Sequence, residues 1–255
     1  MGIIDFHTHP YWDAEQNLCM YKELYGLSPL AQKEELEKEG ITKICGSVIM
    51  PLKDGSPFDT LRACNQIALQ LKEVFGAFYV PGIHIHPHFP KESCAEIQAA
   101  AEKGIRLIGE VVPYQHGWKG YEEKGLSDIL DCAEQYHMVF SYHSTDEDEV
   151  DNMLEGHPQM AFVAAHPGER KRIEMHVARM KKYPNLYLDL SGTGLFRFGM
   201  LKHLVNQVGS QRILFGTDYP ICNPGMYVQA VRSEKISQSE REDIFCRNAE
   251  RLLGL

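Results

Sequence analysis

The chain has 255 residues, 44% of them hydrophobic and 24% charged, and a formal net charge of −9 at pH 7. That composition is ordinary for a soluble globular protein and long enough for one large α/β domain. The acidic balance disfavours a nucleic-acid backbone as partner, and no apolar stretch reaches the length of a membrane span.

The first element is read from "IIDFHTHP", residues 3–10. Alternate side chains of a strand share a face, so Asp5, His7 and His9 are expected to point one way and Ile4, Phe6 and Thr8 the other. Pro10 cannot continue a ladder, which puts both imidazoles at the strand's C-terminal end. With a strand expected this early, no secretory leader is expected and a cytoplasmic location follows. Ser28-Pro29 then opens a helix as N-cap and first-turn proline. A strand is expected over 41–50. Ser56-Pro57 starts a helix with Leu61, Ile67, Ala68, Leu71 and Phe75 at helical spacing, ending at Gly76. Further strands are expected over 78–86, 105–112, 138–144, 160–166, 185–191 and 212–218. Ser237 with Glu240 forms a capping box for the last helix.

Eight apolar strands alternating with helices suit a parallel sheet covered by helices. The size matches a single (βα)8 TIM barrel spanning residues 1–255. The rival, a doubly wound open sheet, lacks the glycine-rich fingerprint after its first strand. Seven cysteines, Cys19, Cys45, Cys64, Cys94, Cys132, Cys222 and Cys246, are odd in number and scattered with no CxxC. They read as reduced, buried thiols rather than a disulfide frame or structural zinc site.

TIM-barrel chemistry gathers at the C-terminal ends of the strands. There the sequence places His7 and His9, Glu110 from "IGEVVP", His143 from "SYHS", His166 from "AAHPG" and Asp218 from "FGTDYP". A lone His-x-His is often plain polar strand and a lone aspartate often only a turn residue. Six such groups at equivalent positions of five strands read as a divalent metal site at the C-terminal face. Zinc is the first expectation, with manganese, iron or nickel as competitors.

That ordered set resembles the amidohydrolase superfamily: HxH on strand one, a carboxylate or lysine on strand four, histidines on five and six, aspartate on eight. "AAHPG", "YPNLYLDLSG", "RILFGTDYP" and "NAERLLGL" look like the amidohydrolase-2 branch, which contains aminocarboxymuconate-semialdehyde decarboxylase and related TIM-barrel hydrolases. The resemblance implies ligands at His7, His9, His143 and Asp218, with His166 catalytic. Glu110 departs from that branch and looks like the bridging carboxylate of two-metal relatives such as TatD-type nucleases. The weighting here favours two metals, with Glu110 bridging and His166 a ligand.

Other residues are placed around this set. Asp5 is expected to fix an imidazole tautomer from a deeper layer. His86, of "GIHIHPH", is expected to orient a ligand of the centre or to line the substrate pocket, and His84 to be a hydrogen-bonded core histidine. Arg170 and Arg197 are candidate clamps for a substrate carboxylate, the alternative being surface ion pairs. Trp118, in the aromatic loop "YQHGWKGYEEKG", is a candidate pocket wall, the alternative being packing between loops. His137, His157, His176 and His203 are expected at the surface, and "ERKRIEMHVARMKK" as a solvated helix face.

The expected activity is metal-dependent hydrolysis of a small lactone, amide or ester. Asp218 would take the proton of the attacking water, and His166 would help polarise the substrate oxygen. The nearest alternative is a nonoxidative decarboxylase of a small unsaturated or aromatic carboxylic acid, with Asp218 or His166 protonating carbon. A TatD-like phosphodiesterase and a non-catalytic metal binder rank lower. The expected partner is a small-molecule substrate, with no nucleic acid and no membrane; a homo-oligomer stays open.

Overall fold

The computed structural model describes residues 2–144 and 149–255. Eight strands run in chain order around one sheet, every neighbouring pair parallel. They are β1 (Ile3–Thr8), β2 (Ile41–Gly46), β3 (Tyr79–Ile83), β4 (Leu107–Val111), β5 (Val139–His143), β6 (Ala161–Ala165), β7 (Leu186–Asp189) and β8 (Ile213–Leu214). The sheet curls back on itself through the segment beyond β8. Phe6 N donates to Phe215 O (2.8 Å), Asp218 N to His7 O (2.9 Å) and His9 N to Tyr219 O (2.6 Å). The architecture is the (βα)8 barrel expected from the strand count.

The helices are α1 (Pro29–Lys38), α2 (Pro57–Phe75), α3 (Pro90–Glu102), α4 (Leu126–Gln135), α5 (Glu149–Gly156), α6 (Arg170–Lys182), α7 (Met200–Val208), α8 (Pro224–Ser233), α9 (Gln238–Glu242) and α10 (Asn248–Leu253). Ser28 Oγ accepts from Ala31 N at the start of α1, while Ser56 makes no such bond at α2. The capping box of α9 forms in both directions between Ser237 and Glu240. Among the described residues no helix is long and apolar enough to cross a membrane.

Two apolar layers hold the barrel. The larger lies between strands and helices and includes Leu36, Ile44, Leu71, Ile108, Phe140 and Leu188. The smaller fills the interior: Ile4, Phe6, Cys45, Leu107, Val139, Val163 and Leu214 pack with Ala249 and Leu253 of α10. Val139 and His143 share a face of β5 four residues apart, so this inner layer lies directly below the histidines. Asn248 ties α10 to the barrel, its Nδ2 donating to Ser210 O and Ile213 O, both at 2.7 Å.

Several expectations change. Strands two to eight end earlier than their apolar runs, and at β6 and β8 the site residues lie beyond the ladder. His166 and Asp218 adopt φ of 67° and 69°, left-handed values that cost a non-glycine residue roughly 1–3 kcal/mol. The simple alternation along β1 also fails. A register shift against β2 between Asp5 and Thr8 puts Ile4 and Phe6 in the interior beneath His7, and Asp5 no longer shares its face. His157 and His176 are buried, not superficial. The basic segment of α6 buries one side: Ile173, His176, Val177, Arg179 and Met180 face inward, with Arg179 Nε donating to Asp151 Oδ1 at 2.7 Å. Burial pushes His176 down to about 3. Of the cysteines, all free, only Cys45 and Cys64 are buried; the other five lie half-buried on helix flanks and loops.

Candidate metal centre

The barrel brings His7, His9, Glu110, His143, His166 and Asp218 together from five strands. His7, His9, Glu110 and Asp218 are each less than a tenth exposed. Gly216 and Gly192 make the room: a Cβ at Gly216 would lie 2.9 Å from His7 Cβ, and one at Gly192 2.4 Å from His166 Nδ1.

The donors fall into two sets that share Glu110. In the first, His7 Nε2 lies 3.2 Å from His9 Nε2, 3.4 Å from Glu110 Oε2 and 3.6 Å from Asp218 Oδ1. His9 Nε2 lies 3.6 Å from Glu110 Oε2 and 3.4 Å from Asp218 Oδ1. A tetrahedral ion with bonds near 2.1 Å separates its ligands by about 3.4 Å, so the three spacings among His7, His9 and Glu110 fit ligands of one divalent cation, and Asp218 Oδ1 lies within reach of both imidazoles. In the second set, the other carboxylate oxygen, Glu110 Oε1, lies 2.8 Å from His143 Nδ1 and 3.2 Å from His166 Nε2.

Neighbouring groups settle which ring nitrogens face inward. His9 Nδ1 lies 3.0 Å from Ser47 O; a carbonyl only accepts, so Nδ1 carries the hydrogen and Nε2 is left as a donor to metal. His7 Nδ1 does the same toward Asp189 Oδ2 at 2.8 Å. Asp189 was not foreseen as a site residue. Its Oδ1 accepts from Ser191 N at 2.9 Å, from His166 N at 3.4 Å and from the Ser191 hydroxyl. With its hydrogen given to Asp189, Ser191 Oγ accepts from His166 Nδ1 (3.0 Å), and His166 Nε2 is left facing Glu110. One buried carboxylate thus orients two imidazoles.

Asp5 has a different task from the one expected. Its Oδ2 accepts from Thr217 Oγ1 (2.6 Å), and its Oδ1 accepts from Thr217 N (3.0 Å) and His7 N (3.2 Å). It fixes the backbone on both sides of the barrel closure rather than a ring tautomer. Burial pushes its carboxyl up to about 7, against the hydrogen bonds from Thr217 and His7.

Without a bound cation, protons hold the carboxylates and imidazoles together. Burial opposes charge on His7, but Asp189 and Glu110 outweigh it and hold the imidazole well above its ordinary value. Burial likewise opposes charge on His9, but Asp218 and Glu110 raise it to about 9. Burial would raise Glu110, yet the imidazoles of His7, His166 and His143 hold it well below the usual carboxylate range. The centre is an anionic cage closed by positive charge, which a divalent cation supplies in place of protons.

Other expected site residues bond to groups outside this set. His86 Nε2 donates to His116 O (3.1 Å) and its Nδ1 accepts from His88 N (3.1 Å), so both ring nitrogens serve the loops after β3 and β4. His84 Nε2 donates to Val48 O at 2.7 Å in the core. Trp118 is buried, edge-on to Tyr121 at 6.0 Å. Arg197 makes a two-pronged pair with Glu169, Nη2 to Oε1 at 2.8 Å and Nε to Oε2 at 3.2 Å, with both side chains more than half exposed. Arg170 and Arg197 border a cleft between α6 and α7 that none of the six donors lines.

The fold is a TIM barrel, and its rim carries side chains that could hold a divalent metal ion. The family model for amidohydrolases matches residues 4–255, and the chain belongs to that family. A search of curated proteins finds no match. Among solved structures, the chain is similar to 2,6-dihydroxybenzoate decarboxylase in complex with 2,6-dihydroxybenzoate, at 16% identity and a TM-score of 0.78, covering 100% of this chain and 99% of that one. It is also similar to dihydroxybenzoic acid decarboxylase from Polaromonas sp. JS666 with bound manganese and the inhibitor 2-nitroresorcinol. There the identity is 15% and the TM-score 0.71, with coverage of 100% and 97%. An uncharacterised TIM-barrel protein from Bordetella bronchiseptica matches at 20% identity and a TM-score of 0.75, covering 100% and 99%.

Proposed function

We propose that the protein is a metal-dependent, nonoxidative decarboxylase of a small unsaturated or aromatic carboxylic acid. The observation that carries this reading is the first donor set, in which His7, His9 and Glu110 converge at cation-ligand spacing at the mouth of the barrel with Asp218 Oδ1 beside both imidazoles. The decarboxylases whose folds it shares, one of them holding manganese, support the reaction class. Manganese or zinc at this point would act as a Lewis acid, gripping the substrate's oxygens and stabilising negative charge as it develops.

The chain's own groups do the rest. Breaking the carbon–carboxylate bond leaves an electron pair on carbon, which must take a proton as carbon dioxide departs. Asp218 and His166 face the same space and are the candidate proton donors. Ser191 and Asp189 keep the His166 ring in one orientation, and Asp189 does the same for His7.

Hydrolysis through metal-activated water, the first expectation from the sequence, is the second reading. One observation favours it: the two oxygens of Glu110 point to separate donor sets, the arrangement of a bridging ligand in a two-metal site. The discriminating experiment incubates protein loaded with manganese or zinc with a panel of aromatic and unsaturated carboxylic acids, and separately with lactones, amides and esters. Stoichiometric carbon dioxide from an acid is the expected result. Turnover confined to the second panel would replace the decarboxylase with a hydrolase.

A further inference from the structure

The aromatic loop after β4 separates into two kinds of residue. Trp118 and Tyr121 are buried, 4% and 5% exposed. Tyr121 also holds the site together, its hydroxyl donating to His143 O (2.8 Å) with Val111 O close by at 3.2 Å. Tyr114 is the contrary case. Its side chain is 64% exposed, yet its ring stands edge-on to the imidazole of His143, 5.7 Å between centroids and 86° between planes. Partial burial of the phenol, and after it the carboxylates of Glu110 and Asp218, raise it above its ordinary value.

The exposure of Tyr114 does not come from a loose loop. Gln115 N and His116 N both donate to Val112 O at 3.1 Å, and Trp118 N to Pro113 O at 3.1 Å. His116 and Trp118 anchor the far side of the turn in the interior. A tight turn therefore presents a large ring beside the metal centre with most of its surface uncovered. An aromatic ring gains most from another π-system, through offset-stacked or edge-to-face contact worth roughly 0.5–1.5 kcal/mol beyond area burial.

Resting on the decarboxylase reading for the kind of acid involved, we propose that Tyr114 is the aromatic wall of the substrate site. Its ring packs against the planar, unsaturated part of an acid whose carboxylate is held at the metal centre, and so selects flat acids over saturated ones. The residue determines specificity and leaves the proton chemistry to Asp218 and His166. The ring carries the effect and the hydroxyl does not.

The test is direct binding and needs no turnover. Benzoate and cyclohexanecarboxylate are titrated into manganese-loaded wild type, Tyr114→Phe and Tyr114→Ala by calorimetry, with metal content and melting temperature measured alongside. Wild type and Tyr114→Phe should prefer benzoate by roughly three- to tenfold, the factor equivalent to the aromatic contact. Tyr114→Ala should bring the ratio close to one with metal content and melting temperature unchanged, since an exposed ring contributes little to folding. A metal-replete Tyr114→Ala that keeps the wild-type ratio would overturn the proposal, as would a wild type that binds neither acid or both equally. Should the ratio depend on the Tyr114 ring while no acid is decarboxylated, the proposed reaction fails and the aromatic wall stands.

Discussion

Replacing Asp189 by asparagine tests whether ring orientation, and not merely the presence of ligands, makes the metal centre. The substitution is nearly isosteric, but its hydrogen bonding is constrained from one side. Oδ1 accepts from Ser191 N, the Ser191 hydroxyl and His166 N, so the amide oxygen must take that place. The NH2 group then stands where Oδ2 was, 2.8 Å from His7 Nδ1. A donor facing Nδ1 forces the hydrogen onto Nε2 and removes the lone pair that His7 offers to metal. Loss of such an outer partner lowers metal affinity by about 10- to 100-fold, equivalent to about 1.4–2.7 kcal/mol. The assay is a competition titration of manganese or zinc against a chromogenic chelator, with Ser191→Ala beside it. Ser191→Ala keeps the Asp189–His7 contact and should lose less affinity than Asp189→Asn. Wild-type affinity in Asp189→Asn would refute the tautomer argument.

Four further outcomes are expected. Elemental analysis should find about one ion per chain in wild type, as the decarboxylase reading requires; two ions per chain, falling in Glu110→Gln because an amide is a poor bridge, would favour the two-metal hydrolytic reading. Asp218→Asn should keep most of its metal and lose turnover by about 100-fold or more, as steady-state kinetics with metal analysis will show; near-normal turnover would reduce Asp218 to a turn residue. Chelation should lower the melting temperature, since the ion binds only the folded rim, and identical curves after verified removal would show that packing alone holds it. In the metal-free protein, His9 lies near 9 against an ordinary value of 6.5. Its contribution to stability is full below pH 6.5 and lost as pH rises through 9, so the apo melting temperature should fall between pH 6 and 10. Metal affinity should rise over the same range as protons cease to compete.

The eight strands were legible because each is a short apolar run rich in β-branched or aromatic residues. Their ends were not, because "AAHPG" and "FGTD" read as extended chain while His166 and Asp218 turn left-handed to aim their side chains. The six donors were legible from their place at strand ends. Asp189 was overlooked although "LYLDLSG" puts a carboxylate at the end of β7, a buried position that an unpaired acid rarely occupies. Asp5 was misassigned for the opposite reason: strict alternation put it beside His7, and only the register shift between Asp5 and Thr8 sends it to Thr217. For Arg197 the structure shows the alternative weighed beside a substrate clamp, an exposed ion pair, here with Glu169, a choice that charge next to a strand end does not make on its own.

β8 has two residues, and the barrel is shut instead by the backbone of residues 215–219 lying along β1. The stretch that delivers Asp218 is therefore also the cover over the free edge of the first strand. An uncovered strand edge is a template for pairing with other chains, so a metal ion held between His7, His9 and Asp218 would clasp the very seam whose opening exposes that edge. Metal starvation should show itself first in the insoluble fraction of the cell extract, ahead of any fall in the specific activity of the protein that stays in solution.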